Sequence, residues 1–327
     1  MAETALVVQP NLSHNVPATI EAAKTHLTDM ATLYLVTEVA GQSQTTLDAK
    51  RRDLQRFLAF YQQLYGHERP GEWFVSVTKA FLKQLRGQRF AQASLARIYA
   101  TVRHFARWLH RKFPDLFPLG CPTDGVKPPA EPTAAWKGLT RLEELRLLNA
   151  AQTLRVRPGP GTKQGLRNHA LLAVLLGSGL RISEVLQLDR DQYTGKGFAR
   201  VQVKGGQLRD VVPVQRDARA VLDDWLNQRG NAAGPLFPTR SRRRLSRREA
   251  AQIIQRIAGQ ANANRPAKEH IQVSPHVLRH TFLSKLAETK GVHYAREASG
   301  HQSDRYIWRY VKPNNQTLAE AIDELEF

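Results

Sequence analysis

The sequence predicts a mainly α-helical protein with one small β-hairpin, arranged as two domains. Several long stretches repeat apolar residues at helical spacing, and one short stretch alternates apolar and polar residues around a Gly-Gly pair. A proline-rich stretch without periodicity divides the chain after residue 120. At 327 residues the chain has room for two domains of ordinary size.

The N-terminal part predicts a helical domain. Residues 1–27 show no clear period, so we expect a mobile extension there. In the predicted domain, residues 28–120, one helix starts after the cap residues near Ser43, and another runs from about Ser94 to Leu109. The second helix carries arginines around its polar side, namely Arg97, Arg103, Arg107 and Arg111. Such a basic face is either a solvated surface or a site of phosphate contact.

Residues 121–135 form the predicted linker, and residues 136–327 the second domain. Thr140 followed by Glu143 has the spacing of a capping box at the start of a helix. Further on, an apolar helix leads through Gly177-Ser-Gly179 to Arg181, which opens a second amphipathic helix. This places Arg181 at a helix N-terminus, where backbone N–H groups favour an anion.

The later part of the second domain predicts a hairpin, a basic run and a final helix. Residues 201–214 alternate around Gly205-Gly206, and Lys204 lies beside that turn. The densest run of positive charge follows further on and contains Arg242, Arg243, Arg244, Arg247 and Arg248. Such a run is either a solubilising loop or a site of phosphate contact. Residues 314–327 read as a Thr-capped amphipathic helix with an acidic face.

Composition favours a polyanion as the partner. There are 48 Lys and Arg against 29 Asp and Glu, a formal net charge of +19. No apolar run approaches the roughly 20 residues needed to span a bilayer, and the N-terminus lacks the pattern of a signal peptide. The single cysteine, Cys121, excludes an internal disulfide and favours a reducing, cytoplasmic location.

The residues near the C-terminus suit covalent phosphoryl transfer. His276, Arg279 and His301 precede Tyr310, which stands 310 − 301 = 9 positions after the last histidine. A tyrosine phenol that attacks a phosphodiester conserves the energy of the broken bond in a phosphotyrosyl ester. Arginine forks and histidine donors stabilise the charge that develops on the phosphate oxygens, so this chemistry requires no metal or other cofactor.

These motifs together resemble the tyrosine recombinase (phage integrase) family. The resemblance rests on Gly-Leu-Arg181-Ile-Ser-Glu184, Lys204 in a hairpin, His276-Val-Leu-Arg279-His280, Gly-His301 and Tyr310, found in this order. It extends over residues 28 to 327 and implies a helical core-binding (SAM-like) domain and a mixed α/β catalytic domain that close as a clamp on duplex DNA. Ser299 departs from the family pattern, in which a leucine often precedes Gly-His.

The resemblance implies a role for each of these residues. Tyr310 would be the nucleophile, while Arg181 and Arg279 would hold the scissile phosphate. Lys204 would protonate the leaving 5′ oxygen, His276 would help to accept the tyrosine proton, and His301 would donate to the phosphate. Glu184 would orient a neighbouring arginine or histidine, His280 would be a structural hydrogen-bonding residue, and the last helix would dock in a neighbouring protomer.

Some alternatives stay open at this point. Tyr306 also follows His301, although the family spacing favours Tyr310. His276 and His280 lie four apart and could share a metal, but no third ligand stands at a suitable spacing, so we expect no metal site.

We therefore expect a tyrosine site-specific recombinase that needs no cofactor. It would be a prokaryotic, nucleoid-associated protein of the cytoplasm, a monomer in solution that forms a homo-tetramer on double-stranded DNA and exchanges strands through a Holliday junction. An accessory DNA-binding protein is an open further partner. The biological role, integration, excision or resolution, is also open. The competing functions are a type IB topoisomerase-like enzyme and a DNA-binding regulator without catalysis.

Overall fold

The computed structural model describes residues 25–130, 138–155, 162–203, 206–300 and 323. The chain divides into two compact units, Met1–Thr133 and Ala134–Phe327. Each unit has its own hydrophobic core. The predicted mainly helical fold with one small hairpin is confirmed.

The N-terminal unit consists of four helices within the described residues. They are α1 (Leu27–Tyr34), which continues into a π-helical turn at Leu35–Val39, α2 (Gln44–Tyr65), α3 (Val75–Gly87) and α4 (Gln92–Lys112). Short 3₁₀ turns come after α2 and α4, at Pro70–Glu72 and Pro114–Leu116. As predicted, Ser43 caps α2: its hydroxyl accepts from the N–H of Thr46 at 3.4 Å.

Aromatic rings dominate the core of this unit. Phe57 of α2 packs against Trp73 with 4.4 Å between ring centroids and against Phe81 of α3 at 5.2 Å. The polar ends of such rings need partners when they are buried, and the indole N–H of Trp73 donates to the hydroxyl of Thr78 at 2.9 Å. The four helices are thereby fixed around an apolar centre.

The first half of the predicted linker packs against the N-terminal unit. Cys121 and Val126 are buried, and Cys121 is a free thiol. The carbonyl of Pro122 accepts from Thr78, and that of Val126 accepts from the phenol of Tyr99. Residues 121–130 are non-helical, in agreement with their prolines and missing periodicity, but these features give no indication of the packing. The second half of the predicted linker lies mostly outside the described residues.

The C-terminal unit contains seven helices and the hairpin within the described residues. The helices are α5 (Arg141–Arg155), α6 (Thr162–Ser178), α7 (Ile182–Gln187), α8 (Arg216–Arg229), α9 (Arg247–Asn262), α10 (Pro275–Lys290) and α11 (Val292–Ser299). The strands β1 (Gly197–Gln202) and β2 (Leu208–Pro213) pair antiparallel, with Val201 opposite Arg209. Short 3₁₀ turns occur at Arg190–Gln192 and Ala267–Glu269.

Helix α6 forms the centre of this unit. Its residues 170–175 are all buried, which explains why the sequence there reads as a continuous apolar run. Phe198, Val201 and Val212 of the hairpin point into the same core. The predicted capping box at α5 is present, because Thr140 N–H donates to Glu143 at 2.8 Å and Glu143 N–H donates to the Thr140 hydroxyl at 3.3 Å.

No helix in the described ranges is both long enough and apolar enough to cross a membrane.

Candidate active site

A tight turn between α6 and α7 positions Arg181. Gly179 has φ +64, a left-handed conformation that disfavours side chains, and a Cβ there would lie 2.4 Å from Cδ1 of Phe282. Only glycine fits this turn. Two residues later Arg181 takes an extended conformation as the residue that precedes α7, so the predicted position of Arg181 at a helix start is confirmed.

Glu184 occupies the space that the sequence assigns to an anion at this helix start. Its buried carboxylate accepts from the backbone N–H of Arg181 at 2.7 Å and from Nη1 of Arg181 at 2.8 Å. The same carboxylate lies 3.8 Å from Nη1 of Arg279. Glu184 therefore links two arginines that stand 279 − 181 = 98 positions apart in the sequence.

Arg279 is held by backbone as well as by charge. It lies on α10 and is 3% exposed. Its Nη1 donates to the carbonyl of Gly179 and its Nη2 to the carbonyl of Ser299, both at 2.6 Å. Because a guanidinium is planar and carries its donors in a fixed geometry, these two bonds fix the plane of the group.

The two arginines of this cluster share one carboxylate but differ in exposure. Arg181 is 28% exposed at the side chain, whereas the side chains of Arg279 and Glu184 are 3% and 5% exposed. The cluster is thus open to an anion from the Arg181 side.

His276 lies at the edge of the same cluster. It is in the first turn of α10, after Ser274, whose hydroxyl caps the helix by accepting from Val277 N–H. Its ring meets that of His280 edge-on, with 3.9 Å between centroids. Partial desolvation, and then the positive charges of Arg279 and Arg181, lower the pKa of His276 below its ordinary 6.5, which favours a neutral imidazole able to accept a proton.

The structure brings five of the predicted site residues into one place: Arg181, Glu184, His276, Arg279 and His280. Lys204, His301 and Tyr310, together with the alternative Tyr306, lie outside the described residues, and so does the predicted final helix except for Asp323. In the described part of the chain no group of three His, Cys, Asp or Glu side chains is arranged to hold a metal ion.

The arginines of α4 are not equivalent. Arg107 and Arg111 are exposed and Arg103 is half-buried. Arg97 is half-exposed, but its guanidinium donates to Asp53, a fully buried carboxylate that also accepts from Thr101. The face is basic, as predicted, although one of its charges is neutralised by this ion pair.

The arginines of the basic run, residues 242–248, also differ in their contacts. Arg242, Arg247 and Arg248 are exposed, and Arg243 pairs with Glu249 at 2.9 Å. Arg244 instead donates to the carboxylate of Asp189 and to three carbonyls at the end of α7, those of Leu186, Gln187 and Leu188. Arg244 therefore connects the basic run to the end of α7. The sequence, in which Arg244 is one of several neighbouring arginines, does not predict this structural role.

The sequence did not predict the contacts of two residues beside the cluster, Ser299 and Arg209. Ser299 is 1% exposed, and its carbonyl is a partner of Arg279. Arg209, on β2, donates to the carbonyls of Glu297 and Ala298 at 3.2 and 3.0 Å. Neither contact leaves a trace in local periodicity, since both join segments that are distant in the chain.

Comparison with known proteins identifies the family. The model of the phage integrase family matches residues 137–317, and that of the phage integrase N-terminal SAM-like domain matches residues 33–112. The chain belongs to the phage integrase family of tyrosine recombinases. This tyrosine-type site-specific recombinase is 31% identical to tyrosine recombinase XerC of Neisseria meningitidis serogroup B, over 87% of this chain and 90% of the relative. It is 33% identical to XerC of Pseudomonas aeruginosa, over 86% and 88%.

Solved structures have the same fold. The Tn1549 transposon integrase, in complex with circular intermediate DNA, matches with a TM-score of 0.70 at 17% identity, over 92% of this recombinase and 100% of that chain. The XerH recombinase bound to a palindromic difH substrate matches with a TM-score of 0.67 at 18% identity, over 86% and 80%. At these identities the likeness concerns the fold alone.

The two arginines should respond differently to substitution. Arg181→Lys and Arg279→Lys each lose the planar fork and should slow DNA cleavage on the order of 10²–10³-fold. Arg279→Lys should destabilise the protein more than Arg181→Lys does, because it also leaves a buried carbonyl without its donor, at a cost of about 1–3 kcal/mol, whereas Arg181 is partly exposed. Thermal melting with single-turnover cleavage checks this; equal melting temperatures for the two variants would contradict it.

His276 should titrate below pH 6.5 in the DNA-free protein. Its pKa is lowered, so the neutral form persists to more acidic pH and is lost only as the pH falls through that lowered value. Histidine NMR titration measures the midpoint directly. Arg181→Gln removes one of the positive charges and should raise the midpoint, whereas Arg216→Gln, at an exposed position on α8, should not. A midpoint above 6.5 in the unsubstituted protein would refute this.

Proposed function

We propose that this recombinase cuts and rejoins double-stranded DNA at specific sites through a covalent intermediate on Tyr310, and that it serves integration, excision or resolution of a mobile element or replicon. The observation that carries the proposal is the pair of guanidiniums, Arg181 and Arg279, joined through the buried carboxylate of Glu184. Two fixed guanidinium forks in one place suit the negative charge that develops on the phosphate oxygens in a pentacoordinate transition state.

The proposed reaction conserves bonds and charge. The phenolic oxygen of Tyr310 forms a bond to phosphorus, and the bond from phosphorus to the 5′ oxygen breaks, which leaves a 3′-phosphotyrosyl ester and a free 5′ hydroxyl. The proton of the phenol leaves towards His276, and Lys204 supplies a proton to the departing oxygen. Attack by a 5′ hydroxyl reverses each step, so strands rejoin without an external energy source.

The described residues support distinct parts of this proposal. Arg181 is accessible and would contact the phosphate from the open side. Arg279, hydrogen-bonded to two carbonyls and close to Glu184, would hold its positive charge at a fixed position beside the phosphate. The lowered pKa of His276 favours the neutral imidazole that a proton acceptor needs. His301 would add a further donor to the phosphate.

DNA contact would come from arginines on the surface of both units. On the N-terminal unit these are the exposed Arg107 and Arg111 and the half-buried Arg103, with Arg97 held by Asp53. On the C-terminal unit they are Arg242, Arg247 and Arg248, with Arg243 partly neutralised by Glu249. Support comes from structural neighbours such as the Tn1549 integrase and XerH, which were solved in complex with DNA.

The proposed assembly is a homo-tetramer on two recombination sites. Strands would be exchanged in sequence through a Holliday junction, and residues 314–327 would dock in the neighbouring protomer. Such an enzyme acts where the DNA is, in the cytoplasm, and an accessory DNA-binding protein would set the direction of the reaction.

The identity of the nucleophile is directly testable. Tyr310→Phe should bind a recombination site normally but form no covalent adduct with a nicked suicide substrate, because phenylalanine has no oxygen to attack phosphorus. Tyr306→Phe is the matched control and should retain adduct formation. Peptide mapping that placed the DNA on Tyr306 would refute the assignment. Adduct without recombinants would point to a topoisomerase-like enzyme, and binding without adduct to a regulator.

The role of the final helix is tested by deleting the residues from 317 onward. This change removes an amphipathic segment and leaves each proposed catalytic residue in place. Binding of a monomer to a half-site should survive, whereas cooperative occupation of a full site and recombination should weaken together. Gel-shift titration on half and full sites measures both. Unchanged cooperativity with normal recombination would show that the segment does not link protomers.

A further inference from the structure

The end of α11 is held by two arginines that come from different elements. Arg209 of β2 donates from Nη1 to the carbonyl of Ala298 at 3.0 Å and from Nη2 to the carbonyl of Glu297 at 3.2 Å. Arg279 of α10 donates to the carbonyl of Ser299 at 2.6 Å. The last three carbonyls of the helix therefore all have a guanidinium partner.

These contacts satisfy a general need of helix ends. The final carbonyls of an α-helix have no N–H partner within the helix and carry its partial negative charge, so a cation there is stabilising. At α11 the two guanidiniums come from outside the helix and bind it to β2 and to α10. Gly300, with φ +60, then ends the helix, and its N–H donates to the carbonyl of Glu297.

The end of α11 lies next in the chain to two of the proposed catalytic residues. Gly300 immediately precedes His301, and Tyr310 stands 310 − 300 = 10 positions further on. On the other side, Arg209 lies on β2, and Lys204 stands between β1 and β2 in the sequence, 209 − 204 = 5 positions before Arg209. One side chain thus connects the hairpin that bears the proposed acid to the start of the segment that bears the proposed nucleophile.

We propose that Arg209 is a positioning residue for cleavage: by holding the end of α11 against β2, it fixes the point at which the chain enters the His301–Tyr310 segment. This inference rests on the proposed function of Tyr310. Its effect is exerted on the nucleophile's side, because both of its hydrogen bonds to described residues go to the backbone of α11. A lysine cannot reproduce the contact, since a single ammonium does not span two carbonyls as a planar fork does.

Two measurements isolate this role. The variants are Arg209→Ala and Arg209→Lys, with Arg216→Ala, at an exposed position on α8, as the charge-matched control. The first measurement is hydrogen exchange of peptides over residues 292–303 in the DNA-free protein, where both Arg209 variants should exchange faster at the helix end and the control should not. Unchanged exchange in Arg209→Ala would overturn the inference, whatever the enzyme's activity.

The second measurement is single-turnover adduct formation at saturating protein on a suicide substrate, with either a natural 5′ oxygen or a 5′-bridging phosphorothiolate. A small misplacement of reacting groups costs on the order of 10²-fold in rate, so Arg209→Ala should fall by about that factor while half-site affinity is retained. Lys204→Ala should be rescued by the phosphorothiolate, because a thiolate leaves without a proton. Arg209→Ala should stay slow on both substrates.

The outcomes separate this inference from the function on which it rests. Rescue of Arg209→Ala by the phosphorothiolate would mean that Arg209 acts through Lys204, and normal cleavage would mean that it does not position the nucleophile; either overturns the proposal. Arg209→Ala could melt at a much lower temperature than the parent protein. In that case the same two measurements on Arg209→Lys, which keeps the charge and the aliphatic stem, test the proposal instead. Failure of the unsubstituted protein to form any adduct would instead refute the proposed function.

Discussion

The structure of the candidate active site depends on one buried carboxylate. Glu184 accepts from the backbone and the side chain of Arg181 and lies next to Arg279. A carboxylate this deeply buried is unfavourable unless it is paired and hydrogen-bonded, and removing one partner of such a pair typically costs about 3–5 kcal/mol. The carboxylate and the arginines therefore require one another, which fixes two sequence-distant segments in one geometry before any substrate arrives.

Arginine also organises the backbone around the site. Arg279 and Arg209 cover the end of α11, and Arg244 covers the end of α7. Arg229, at the end of α8, likewise donates to carbonyls of the loop after it, at Ala232, Gly234 and Pro235. A planar fork with five donors suits exposed carbonyls at helix ends and in loops. Part of the net charge of +19 is thus used inside the fold, and it overstates the charge available for DNA.

Features that depend on neighbouring residues were predictable. The cap at Ser43 and the box formed by Thr140 and Glu143 arise from spacings of a few residues, because their hydrogen bonds close within one turn. The pairing of β1 with β2 follows from two neighbouring stretches of alternating residues. Other features depend on segments far apart in the chain. Examples are the hydrogen bond from Tyr99 to Val126, the ion pair of Arg97 with Asp53, and the ion pair of Arg244 with Asp189. None of these contacts produces a local pattern in the sequence.

The sequence by itself determined the fold class, the family motifs and the position of Arg181 at the start of a helix, since each depends on residues that are close together in the chain. Only the tertiary structure decided what the arginines do. Arg181 and Arg279 look equivalent as sequence, yet one is partly open and the other is buried against backbone carbonyls. Arg209 and Ser299 acquire their partners solely because β2, α10 and the end of α11 meet in space. Burial and long-range hydrogen bonding are properties of that meeting, and no local spacing encodes them.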